Sequence, residues 1–165
     1  VPGGTTFADK SPKSYQSVAG AVSGAVKLGG DTLVAYVAGG PGIGRYLLDA
    51  GSYPVYFDNN GSDLKAQAAY GGHVGYTHVW TPEFRSNLIG AFTHLVDPKP
   101  DGVAATGGNK DLVQAFVNTF WSFSKTAEFG IEYVYGQRKE YAAPGAEAVK
   151  GTENRVNASF HYNFF

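Results

Sequence analysis

The 165 residues include no cysteine and no methionine, and only 16% of them are charged. Without cysteine there is no disulfide scaffold and no thiolate zinc site; the redox compartment stays open, because a reduced cytosol and an envelope protein that avoids stray disulfides both fit. The net charge of -1 and an isoelectric point near 6.5 leave no basic footprint, which argues against nucleic acid as a partner. Long apolar runs are also missing. The longest near-continuous stretch is LVAYVA, residues 33 to 38, far short of the roughly 18 residues of a transmembrane helix. Membrane-crossing strands escape that exclusion, since only their alternate residues need be apolar.

What is abundant points to β-structure. The chain has 23 Gly, 11 Phe and 11 Tyr, and no long stretch is dominated by Ala, Leu, Glu or Lys, so strands and tight turns are favoured over helices. Alternation of apolar and polar residues picks out seven segments: 14 to 28, 31 to 47, 65 to 80, 83 to 97, 111 to 124, 126 to 141 and 152 to 164. In the fifth, Val113, Ala115, Val117, Thr119, Trp121 and Phe123 alternate with Gln114, Phe116, Asn118, Phe120 and Ser122. In the last, Val156, Ala158, Phe160, Tyr162 and Phe164 oppose Arg155, Asn157, Ser159, His161 and Asn163.

The connections alternate too. Gly29-Gly30, Thr81-Pro82 and Lys125 are short turns, whereas residues 49 to 63, 98 to 110 and 142 to 151 are long polar links. Outer-membrane barrels sort their connections in this way, with short periplasmic turns and longer extracellular loops. A Greek-key sandwich does not sort its loops so regularly, although an up-and-down soluble barrel does. Period two alone does not say which face is inside. Two features favour an inverted barrel with its apolar face outward. Aromatics cluster near both strand ends, as interfacial girdles require, and several segments reach 14 residues or more, against the usual five or six of globular strands.

These observations predict an all-β fold, a transmembrane antiparallel up-and-down β-barrel with about seven strands in this chain. Seven is odd, and a complete single-chain bacterial barrel has an even number. Residues 1 to 13 read as a loop, and the chain opens on Val-Pro-Gly-Gly rather than Met. The expectation is therefore that residues 1 to 165 form the C-terminal portion of one larger barrel domain, with 1 to 13 an extracellular loop remnant; a complete eight-stranded barrel with an irregular first strand is the alternative.

Three blocks carry a family resemblance: GGPGIGRYLLD (39 to 49), LKAQAAYGGHVGYTHVWTPEFRSNLIGAF (64 to 92), and FGIEYVYGQRKE (129 to 140) followed by TENRVNASFHYNF (152 to 164). Together they resemble the C-terminal half of DcaP-like outer-membrane porins. The resemblance implies a homotrimeric channel of about sixteen strands in the outer membrane of a Gram-negative bacterium, in contact with outer-membrane lipid and passing small anionic solutes such as dicarboxylates. It also implies that an aromatic-ended last strand is read by the insertion machinery.

Charge on the lipid side of a barrel costs about 2–4 kcal/mol at mid-bilayer, so strand cations belong to the lumen or an interface. Lys27, Arg85, Arg138 and Arg155 share the polar parity of their strands, and Arg45 sits among glycines that blur its own. With Asn87, Asn118, Glu128, Glu132, Asn157 and His161 they make up the expected pore lining. They read either as an arginine track for anions or as a lattice in which Glu128, Glu132 and Glu140 neutralise Arg138. Trp80, Phe84, Trp121, Phe129, Tyr133, Tyr135, Phe160, Tyr162 and Phe164 are the expected lipid-facing or girdle aromatics.

Nothing in the sequence reads as catalytic. GGPGIGR, residues 39 to 45, lacks both phosphate-loop spacings, so a strand end, bulge or inward-folded loop is expected there. The histidines are isolated, without metal-type spacing. Glu128 and Glu132 lie about 13 Å apart along one strand, too far for a glycosidase pair. No enzyme, cofactor or metal site is expected. The leading reading is passive diffusion of small hydrophilic solutes; the residues leave anion preference open, and the family resemblance implies it. The others are a small closed outer-membrane barrel with a structural or adhesion role, and a soluble β-barrel that binds an apolar ligand.

Overall fold

A computed structural model describes residues 14–47, 55–57, 64–96, 108–142 and 145–164. In chain order the strands are β1 (Gly20–Leu28), β2 (Asp31–Pro41), β3 (Val55–Phe57), β4 (Leu64–Ala66), β5 (Ala68–Thr81), β6 (Phe84–Leu95), β7 (Asn109–Trp121), β8 (Ala127–Glu140) and β9 (Lys150–Tyr162). Seven of them form one antiparallel sheet in the order β1-β2-β5-β6-β7-β8-β9. Each strand pairs with the next long one, which is the up-and-down meander that short turns enforce. β3 and β4 form a separate two-stranded ladder. It lies in the connection after β2, most of which the sequence reads as a polar link.

Two boundaries differ from the sequence expectation for one reason. The second segment, expected to run to residue 47, ends at Pro41 because Gly40 (φ 141°) and Gly42 (φ 77°) turn the chain out of the sheet. Register pairs Gly20 with Gly39, so residues 14 to 19 have no partner strand beyond that point and carry no strand structure. The turn after β7 spans residues 122 to 126 rather than Lys125 alone. It is held by the Ser124 hydroxyl, which accepts the amides of Ala127 at 3.0 Å and Thr126 at 3.3 Å.

The sheet has two unlike faces. On one stand Val26, Leu33, Val74, Leu88, Val117, Ile131, Val156 and Phe160, all exposed; Val117 and Ile131 are each 50% exposed and Phe160 61%. Burying such a side chain stabilises by about 1.5–3 kcal/mol, yet nothing in the described chain covers this face. A contiguous apolar surface of that extent marks a membrane or protein contact. The small buried cluster of Ala38, Ile43, Leu47, Ala69 and Leu95, with Tyr36 and Tyr141 packed against it, lies on the opposite face.

Candidate functional site

The opposite face is mixed, with Val34, Ile89, Phe116 and Val134 standing side by side on it, but one polar rung crosses the whole sheet. Lys27, Thr32, Thr77, Asn87, Asn118, Glu132 and Asn157 lie directly opposite one another on successive strands, one from each of the seven. Side-chain hydrogen bonds run along this rung. Lys27 Nζ donates to Thr32 Oγ1 at 2.9 Å, and Thr77 Oγ1 to Asn87 Oδ1 at 2.6 Å. Asn87 Nδ2 then donates to Asn118 Oδ1 at 2.6 Å, and Asn118 Nδ2 to Glu132 Oε2 at 3.1 Å. Asn157 Nδ2 reaches the other oxygen of Glu132 at 3.0 Å. Asn118, only 7% exposed, uses both ends of its amide, as a buried polar group must.

Toward the short turns, Arg85 lies 4.6 Å above the ring of Phe120 and donates to Glu128 from both terminal Nη atoms, the Nη2 to Oε1 distance being 2.9 Å. Gly130 makes this stacking possible, since a Cβ there would stand 2.6 Å from Phe120 Cε1. Ser122 Oγ donates to Glu128 at 3.0 Å, and His161 Nδ1 lies 3.6 Å from it. Toward the long connections, Arg138 pairs with Glu140. Arg155 lies 3.5 Å from Glu153. Each strand arginine therefore has its own carboxylate, and among the described residues the partner of Arg138 is Glu140; Glu128 and Glu132 are engaged elsewhere.

Arg45 is the exception. Residues Ile43–Tyr46 form one turn of 3-10 helix that lies over the polar face. Ile43 and Leu47 are buried against Ala38, Ala69 and Leu95, so the side chains of Arg45 and Tyr46 point away from the wall. The Gly42 amide donates to the Gln67 carbonyl at 2.8 Å and fixes the entry to the turn. No carboxylate pairs with Arg45 among the described residues. A recess of about 720 Å³ opens beside it, lined by Tyr36, His73, Gln114, Phe116 and Tyr46. GGPGIGR is thus a strand end followed by a folded-over turn, and its glycines serve backbone geometry.

All of Lys27, Arg85, Asn87, Asn118, Glu128, Glu132, Arg138, Arg155, Asn157 and His161 share this polar face by register, and Arg45 stands over it. Trp80, Phe84, Trp121, Phe129, Tyr133, Tyr135, Phe160 and Tyr162 share the apolar face, with Phe164 edge-on to Tyr162 at 4.7 Å between centroids. Phe165 and the segment 1 to 13 lie outside the described residues.

Sequence reading missed Thr32 and Thr77, whose place in the rung depends on register between strands. It also missed a polar cluster on the apolar face beside the short turns. Asp31 accepts Tyr76 Oη at 2.5 Å and the Val79 amide at 3.0 Å, with His78 Nδ1 at 2.9 Å. Asp31 directly follows the Gly29-Gly30 turn, which places it at the rim, and that position was the available signal. No group of three metal-type ligands forms among the described residues.

A seven-stranded meander with a polar rung across one face and a bare apolar surface on the other is the wall of a membrane β-barrel. The family of DcaP outer membrane proteins matches residues 19–164, and the chain belongs to it. That membership, and not the absence of a catalytic constellation, sets enzymatic readings aside and places the protein in the outer membrane. The chain is also similar to the crystal structure of the outer membrane channel DcaP of Acinetobacter baumannii, with a TM-score of 0.73 and 24% identity. The likeness covers 88% of this chain and 40% of that one, so the present residues span well under half of that channel's length. No curated protein matches.

Proposed function

We propose that this chain forms part of the wall of a water-filled channel for passive diffusion of small hydrophilic anions of the dicarboxylate type. In this reading the polar face lines the lumen and the apolar face meets lipid. The open edges of β1 and β9 are completed by further strands of a barrel of about sixteen, and the subunits assemble as a homotrimer. A rung of six inter-strand steps is roughly 29 Å long, and a strand tilt of about 40° carries it through roughly 18 Å of height. The rung would then form an oblique polar track down the wall.

The observation that carries the anion preference is Arg45. The strand arginines are neutralised by their glutamates, while Arg45 is held out from the wall on an anchored turn, beside an open recess, with no carboxylate on it among the described residues. A guanidinium in that position offers a permanent, planar, forked charge to a passing carboxylate. A ring or point of fixed charge at a narrowing sets ion preference.

The test is conductance of the full-length protein in planar bilayers under a salt gradient. The expected result is a stable open channel whose reversal potential favours anions, and Arg45→Ala should move that potential toward zero. A protein that inserts but does not conduct would overturn the channel reading; a cation-favouring wild type would overturn the solute class.

A further inference from the structure

The apolar face of β8 and β9 changes character along its length. At the long-connection end Lys139 and Lys150 lie directly opposite each other, followed by the pairs Gln137 and Thr152, then Tyr135 and Asn154. Below them Tyr133 faces Val156, and its hydroxyl donates back up to Asn154 Oδ1 at 2.5 Å. Below that again, Ile131 and Phe129 face Ala158 and Phe160. An apolar depression of about 260 Å³ opens at Val117, Ile131, Tyr133 and Val156. The order from one end is two ammonium groups, amides and hydroxyls, a tyrosine, and a hydrocarbon groove.

Like charges directly opposite on a sheet repel. Asp111 only partly relieves this pair, standing 3.9 Å from Lys139 Nζ while also bound to His94 Nδ1 at 2.5 Å. Lys150 has no carboxylate partner among the described residues. An anion between the two lysines would remove the repulsion. Six residues separate Lys139 from Tyr133, roughly 20 Å of strand and roughly 16 Å of depth at a tilt of about 40°, within the about 20–22 Å of one leaflet with its headgroups.

We infer that this strip binds one phosphorylated lipid of the outer leaflet, with its phosphate between Lys139 and Lys150 and an acyl chain in the groove at Tyr133 and Val156. The inference rests on the reading of this face as the lipid side and of the long connections as extracellular. Two lysines reaching up from the hydrocarbon edge also suit headgroup phosphates because their stems remain in apolar surroundings.

The experiment is native mass spectrometry of the full-length protein offered a phosphorylated glycolipid, the same glycolipid without its phosphates, and a zwitterionic lipid of equal chain length. The phosphorylated form should be retained in preference to the other two. Lys139→Gln with Lys150→Gln should weaken that retention roughly tenfold to thirtyfold, Lys139→Arg with Lys150→Arg should keep it, and Lys27→Gln on the other face should leave it unchanged. Inorganic phosphate at matched concentration should not displace the lipid. Equal retention of all three lipids, displacement by inorganic phosphate, or a glutamine pair that alters only subunit assembly would overturn the site. If brominated lipid fails to quench a probe at position 117, the reading of the face has failed; if it quenches and headgroups go undistinguished, only the lipid site has.

Discussion

Arg85 reaches from β6 across the ring of Phe120 on β7 to close on Glu128 of β8, so one ion pair ties three adjacent strands on the polar face. Both members are partly solvated, Arg85 being 39% and Glu128 18% exposed at the side chain. Screening therefore holds the stability of the pair to roughly 1 kcal/mol, the upper range for exposed pairs. Its larger consequence is electrostatic silence: a cation and an anion occupy one place on the wall.

Removing either partner should unmask the other. Glu128→Gln is expected to move the reversal potential of the full-length channel toward anions, and Arg85→Met toward cations. The double variant should return close to wild type, because the two charges leave together. Single variants that shift the potential in the same direction would show that the pair does not face the ion path.

The turn that carries Arg45 is held more firmly by its apolar feet than by its glycine. Gly42 has φ 77°, and a Cβ added there would come within 2.5 Å of Ser17 Oγ. The left-handed conformation costs an alanine about 1–2 kcal/mol, whereas burial of Ile43 and Leu47 stabilises the turn by roughly 3–6 kcal/mol together. Gly42→Ala should therefore lower thermal stability while conductance stays near that of wild type. Ile43→Ser with Leu47→Ser should release the turn, raise single-channel conductance and abolish the effect of Arg45→Ala on selectivity. A double variant with unchanged conductance would mean that the turn does not narrow the path.

These two sites differ in how far the sequence disclosed them. Parity along one strand depends only on the alternation of side chains, so the polar face of β8 and β9, with Glu128, Glu132, Arg155 and Asn157, was legible from spacing alone. The order of the sheet followed from turn length. Which arginine meets which glutamate was not legible, because it depends on register between strands and on the reach of a long side chain. Arg138 thus pairs with Glu140, two residues away on its own strand, rather than with the other glutamates of its parity. The turn at Ile43–Tyr46 was hidden for another reason. Glycines at 39, 40, 42 and 44 erase the alternation that would mark a strand end, and the burial of Ile43 and Leu47 is a contact across the sheet. The Lys27 to Asn157 rung needed all six registers at once.

These 165 residues contain no cysteine, so a thiol introduced among them is the only one they carry and the two faces can be compared in one background. Val117 and Gln114 lie on the interior strand β7 with opposite parity; Val117 is 50% exposed on the apolar face, and Gln114 lines the recess beside Arg45. A barrel in a bilayer puts hydrocarbon against the first and water against the second. A fluorophore on Val117→Cys should be quenched by brominated acyl chains and react slowly with a charged, membrane-impermeant thiol reagent. On Gln114→Cys the pattern should reverse, with rapid reaction and no quenching by lipid. Attaching a bulky charged group there should also reduce conductance, since position 114 adjoins the proposed narrowing. In a soluble barrel of the same alternation the apolar face would be the interior, so position 117 would be shielded from both lipid and reagent, and position 114 would react without any effect on ion flow.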